Sequence, residues 1–156
     1  MLPWLSKLST KKLIALSLIF TGGVNLLIFA FDINGASALK SMQTSSFFPS
    51  SKLIGTVWTL LIVILSYSFS SVSVKSPQIA KHILGLFFLC VLYPFYTLGF
   101  SSVMLMFIGN TLTVAYSFFL ALLLFTKFKK EASFVCLITL WVMYVTILMI
   151  DLHRFG

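Results

Sequence analysis

Ser45-Ser46-Phe47-Phe48-Pro49-Ser50-Ser51-Lys52-Leu53-Ile54-Gly55-Thr56-Val57-Trp58-Thr59-Leu60-Leu61 passes from one solvent into another. Its first half is small and polar and contains a proline. Serine offers the backbone local hydrogen bonds and proline cannot continue a helix, so this half reads as loop. After Lys52 the chain turns apolar and stays so to Val74. Pro49 and the serines punctuate the start, and Ser50 or Ser51 is placed to cap the first free amides. Trp58 falls about one and a half turns inside the helix that follows. On these residues alone the stretch is a loop feeding a membrane helix, with Trp58 in an interfacial aromatic belt.

Composition extends that reading to the whole chain. Of 156 residues, 60% are hydrophobic and 9% charged, against about 25% charged in a soluble domain. The mean hydropathy is +1.09. A soluble core cannot hide that much apolar surface, whereas a bilayer core about 30 Å thick needs about 20 apolar residues per helical span. The expected fold is therefore all-α and integral to the membrane: a five-transmembrane-helix bundle forming one domain over residues 1–156. Its helices are expected near 13–31, 53–74, 79–98, 103–125 and 132–152. Cys90 and Cys136 both fall inside apolar runs and read as small buried hydrophobes, not as a disulfide or a metal pair.

Upstream, Lys7, Lys11 and Lys12 form a basic leader before the apolar run Leu13–Phe31. A basic start, an apolar centre and Ala36-Ser37-Ala38 resemble a signal peptide, but the run exceeds the typical core of about 7–15 residues and is long enough to span. Gly22 and Gly23 permit close helix contact, and Asn25 is expected to bond a neighbouring helix. Asp32 to Lys52 is the longest loop, placed as a lid.

Downstream, the second span ends serine-rich, at Ser66, Ser68, Ser70, Ser71 and Ser73. Such serines can bond back to their own backbone and need not line a channel. Lys75 to Gln78 is a turn, Pro94 should kink or end the third span, Thr97 to Ser102 is a tight turn, and Lys127 to Glu131 is a loop.

A net charge of +8 would point to nucleic acid in a soluble protein. Here it is explained by membrane orientation, and no nucleic-acid partner is expected. Lys7, Lys11, Lys12, Lys75, Lys81, Lys127, Lys129 and Lys130 share one side, whereas Lys40, Lys52 and Arg154 stand opposite with Asp32 and Asp151. The positive-inside rule puts the N-terminus in the cytoplasm and the C-terminus outside.

The opening stretch also carries a motif. Ser46, Phe47, Pro49, Gly55, Val57, Trp58, Thr59 and Leu61 stand in the register Ser-Phe-x-Pro, five residues, Gly-x-Val-Trp-Thr-x-Leu. This resembles the signature of the TspO/MBR family, the tryptophan-rich sensory proteins and mitochondrial translocator proteins. Ser45, Ser50, Lys52 and Ile62 replace the family's first proline, last proline, first tryptophan and tyrosine. In the last span, Trp141, Val142, Thr146 and Leu148 match the family's Trp-Val-x-Phe-Ala-Thr-x-Leu, with Tyr144 for the phenylalanine. Leu137, Ile138 and Met149 depart from it. Tyr93-Pro94 with Gly99 matches a third-helix segment more loosely, Cys90 standing for an asparagine and Tyr93 for a tryptophan.

The resemblance implies five tightly packed helices, often dimeric, in a bacterial membrane. It implies a ligand pocket beneath the first loop for porphyrins or haem precursors, with no required cofactor. Carried over by motif, the candidate contacts are Ile54, Gly55, Trp58, Tyr93, Pro94, Trp141, Val145 and Leu148. The family's cholesterol segment ends Tyr-x-x-Trp-Arg; Ile150 and His153 replace its aromatics, leaving only Arg154. On residue types alone, aromatics with polar tips in three helices suit either a flat apolar ligand or simple interhelical packing.

The catalytic inventory is thin. His82 and His153 lie at opposite ends and read as surface histidines, while Asp32, Asp151, His153 and Arg154 form a rim. No metal spacing, phosphate loop, nucleophile motif or mid-membrane charge is present in the sequence. The expected function is a tetrapyrrole-binding sensory or regulatory membrane protein. The alternatives are a transporter of porphyrins or similar hydrophobic small molecules, a light-dependent porphyrin-degrading enzyme, and a small structural subunit without a ligand.

Overall fold

Without water in a bilayer core, backbone amides and carbonyls must pair within their own segment, so apolar runs of this length become helices. The computed structural model describes residues 5–30, 49–95 and 103–155. A short 3-10 turn, Leu5–Lys7, precedes α1 (Thr10–Ala30). Then follow α2 (Ser51–Ser73), α3 (Pro77–Pro94), α4 (Val103–Phe125) and α5 (Lys129–Phe155). All five are long and apolar enough to cross a membrane, and the described residues contain no strand. The chain is thus an all-α, five-helix integral membrane protein.

Local chemistry sets the ends. Ser50 is the N-cap of α2, its hydroxyl accepting from the Leu53 amide at 3.3 Å. Ser51 and Lys52, expected in the loop, therefore belong to the helix. Pro77 and Gln78, expected in a turn, instead open α3, because the missing N–H of Pro77 costs nothing in a first helical turn. Pro94 closes that helix, and the Phe95 amide turns back to the Leu92 carbonyl.

The helices pack mainly with their chain neighbours. α4 and α5 form the most extensive pair, joined through Thr126–Phe128, and α2 and α3 form a second hairpin. α1 lies along α2 and touches α3, while contacts of α3 with α4 and of α2 with α5 close the bundle. Leu65, Val72, Ile83, Leu86, Leu120, Leu124, Val135 and Ile138 form its fully buried centre. Ile19, Leu26, Leu140 and Ile147 point outward, as lipid permits.

Antiparallel neighbours bring the start of α1, the end of α2, the start of α3, the end of α4 and the start of α5 to one end of the bundle, called here the lysine end. Several of its polar groups are paired between helices, while the buried Ser68 hydroxyl has no partner among the described residues. Thr10 Oγ1 and Ser70 Oγ lie 2.7 Å apart, and Ser71 Oγ donates to Glu131 Oε1 at 2.6 Å. Lys130 Nζ donates to the Tyr67 hydroxyl at 3.2 Å and sits 5.0 Å from that ring's centroid. His82 Nδ1 and the Tyr116 hydroxyl are 3.1 Å apart. Ser66 instead bonds back to the Ile62 carbonyl, as expected for a serine in an apolar helix.

Four expectations change. Glu131 is not in a loop: it lies in the first turn of α5, buried against Ser71, where the helix N-terminus also favours an acidic side chain. His82 is not a surface histidine but half-buried between α3 and α4, because Tyr116 offers it a partner. Gly22 and Gly23 do not seat a neighbouring helix; both are exposed, and nothing among the described residues lies within 4 Å of where a Cβ would stand. Cys90 is buried but Cys136 is exposed, on a face of α5 turned from the core. Most of the first loop, including Asp32 and Ala36–Ala38, the turn Thr97–Ser102, and the side chains of Asp151, His153 and Arg154 lie outside the described residues.

Candidate functional site at the aromatic end

The opposite end is built from aromatic rings. Helix α2 presents Trp58 two turns after its cap, and α3 presents Tyr93 at its close. The two rings meet across the helix pair with centroids 4.5 Å apart and planes tilted by 40°. Tyr93 is buried, Trp58 half-buried against the main core. Helix α5 supplies Trp141 and, one turn on, Tyr144, with ring centroids 5.7 Å apart. The spacing of three residues puts both on one helical face.

Trp141 joins two buried clusters. One side packs on the main core, the other on a small group formed by Val145 and Met106 of α4. Its indole Nε1 is buried and has no hydrogen-bond partner among the described residues. A buried donor without an acceptor costs on the order of 1–3 kcal/mol, so this N–H is an unspent capacity at the heart of the aromatic end.

The remaining candidate residues fall around these rings. Ile54 is half-buried on α2, one turn before Trp58. Gly55 is exposed, and nothing among the described residues lies within 4 Å of where its Cβ would stand. Pro94 and Leu148 are half-buried, and Val145 is buried. The structure thus brings Trp58 to Tyr93 and Trp141 to Val145 and sets both tryptophans on one core. Met106 went unmarked in the sequence; its only signal was a bulky apolar residue in the first turn of α4, facing the last turns of α5.

A hollow of about 300 Å³ opens elsewhere, between α1, α2 and α3 towards the lysine end, and none of the eight candidate residues lines it. The aromatic end is a packed cluster with a polar donor inside. The hollow is an open apolar groove.

Five membrane-spanning helices with a tryptophan on the second and on the fifth, both set on one core, define a small helical membrane protein with an intramembrane aromatic site. A sequence model of the TspO/MBR family matches residues 14–154. The chain belongs to the TspO/MBR family. No curated protein and no solved structure matches it.

Proposed function

We propose that this protein binds a tetrapyrrole, a porphyrin or haem precursor, at the aromatic end, and acts as a sensory or regulatory membrane protein. Family membership supports a tetrapyrrole-related role in the membrane. The observation that carries the reading is the pairing of Trp58 with Tyr93 at 4.5 Å beside a core that also holds Trp141, whose buried Nε1 has no acceptor among the described residues. Aromatic faces suit a flat macrocycle, and a buried N–H suits one of its polar edge groups. Occupation would relieve the cost of the unpaired donor, which favours the bound state.

The lysine end supports an orientation. Lys7, Lys11, Lys12, Lys75, Lys81, Lys127, Lys129 and Lys130 all belong to elements that meet there. By the positive-inside rule that end is cytoplasmic, which carries the N-terminus with it and leaves the aromatic end towards the outer side of a bacterial membrane.

The test is a dark titration of the detergent-solubilised protein with protoporphyrin IX, read by tryptophan quenching and repeated with Trp58→Phe and Trp141→Phe. Saturable binding, weakened about tenfold or more by each substitution, supports the site, since loss of a hydrogen bond or ring contact of about 1.4 kcal/mol gives tenfold. Binding indifferent to both substitutions overturns it. Illumination of the complex then separates binding from light-driven conversion of the ligand.

A further inference from the structure

The hollow between α1, α2 and α3 shares no residue with the aromatic end. Its walls are Leu13, Leu16 and Phe20 of α1 and Leu84 and Phe88 of α3; Leu65 of α2 lies behind them. The lining is almost wholly apolar, so water gains little there. Its far end is closed by Phe20 and Phe88, which meet edge to face with centroids 6.3 Å apart. From Leu13 to Phe20 the helix rises about 10 Å, roughly two thirds of one leaflet's share of a bilayer core about 30 Å thick. At about 30 Å³ for each water-sized group, the hollow holds on the order of ten such groups. That is the upper part of one acyl chain.

The mouth decides which lipid. Lys12, Leu16 and Phe20 follow one another at intervals of four, and Lys81, Leu84 and Phe88 at intervals of three and four. Each apolar wall therefore begins, on its own helical face, with a lysine at the lysine end. Lys12 and Lys81 are both exposed. The 3-10 turn that brings Leu5 into the lining ends on a third exposed lysine, Lys7. The acidic residue of this end, Glu131, is buried against Ser71 and leaves those charges uncompensated at the surface.

We propose that this groove is a binding site for one anionic phospholipid of the bilayer, its acyl chain between α1 and α3 and its headgroup phosphate on Lys12 and Lys81. The apolar walls supply affinity for any phospholipid. The lysines supply the preference for a net negative headgroup. This site stands whether or not a tetrapyrrole binds at the aromatic end.

The experiment is native mass spectrometry of the full-length protein released from detergent micelles doped with equal amounts of phosphatidylglycerol and phosphatidylcholine. One phosphatidylglycerol should remain bound in preference to phosphatidylcholine. Lys12→Gln and Lys81→Gln should each lower that preference about fivefold, the share expected of one lysine near an anionic headgroup. Ser17 lines the groove, and Ser17→Phe should expel both lipids. The lysine variants change exposed side chains only, so they remain informative if the groove-filling variant fails to fold. Equal retention of the two lipids, or an unchanged preference in both lysine variants, overturns the proposal. So does a dimer that excludes lipid in wild type and becomes monomeric on Ser17→Phe, which would give the groove to a second copy.

Discussion

The two ends of the bundle solve opposite problems with the same helices. At the lysine end polar side chains find each other across helices: Thr10 with Ser70, Ser71 with Glu131, Lys130 with Tyr67, His82 with Tyr116. At the aromatic end Trp58 and Tyr93 meet ring on ring at a tilt, and the indole N–H of Trp141 is buried with no acceptor among the described residues. In an apolar medium a satisfied polar pair fixes helices in place, whereas an unsatisfied one leaves favourable free energy for a ligand. The comparison teaches that interhelical polar pairing is concentrated at one end of the bundle and ring contacts at the other.

That division can be broken from either side. The largest effect is expected for Glu131→Ala. It strands the Ser71 hydroxyl and empties a buried site, costing about 2–3 kcal/mol, seen as a lower thermal midpoint in detergent. Glu131→Gln, which keeps an acceptor, should recover most of it. An unchanged midpoint in the alanine variant would mean that this pair does not hold α2 to α5.

Next comes Gly85→Ala. A Cβ at Gly85 would stand 2.9 Å from the Tyr116 hydroxyl, closer than packed atoms tolerate. That hydroxyl is held by His82 and cannot swing away without losing its partner. The expected cost is about 1–2 kcal/mol by the same thermal assay. Tyr116→Phe in the alanine background removes the crowding atom and should return part of the loss. If it returns nothing, the crowding is not the cause.

The smallest stability effect is expected at the aromatic end. Trp141→Phe removes a donor that has no acceptor among the described residues, so the stability should change by less than about 1 kcal/mol in either direction, read as a small shift of the midpoint. The same variant should lose protoporphyrin affinity. A large drop in stability would show that the indole N–H is already engaged, and the contrast between the ends would fail.

How much of this could be read from residues depends on how local the signal is. The five spans and a serine cap at Ser50 or Ser51 follow from short-range chemistry and were legible, whereas Pro77 was read as part of a turn although it opens α3. The registers of Trp58 and Trp141 were legible because a family motif stores them. Glu131 was misread as a loop charge because its burial depends on Ser71, 60 residues away, and neither position carries a pattern. His82 was misplaced for the same reason, since only the approach of α4 supplies Tyr116. Met106 carried no signal beyond its apolar bulk and the groove between α1 and α3 carried none, because both arise from how helices sit beside one another.

The Ser71–Glu131 bond also has a consequence for the order in which the protein is made. Ser71 emerges from the ribosome well before Glu131, so during synthesis α2 enters the membrane with its hydroxyl waiting for a partner 60 residues downstream. The extensive contacts between α4 and α5 are local and can form as soon as that hairpin inserts. Glu131 then arrives with the first turn of α5 and ties the late hairpin to an early helix. A nascent chain arrested before α5 would therefore hold four inserted helices without this latch, a species that membrane quality control could distinguish from the finished bundle.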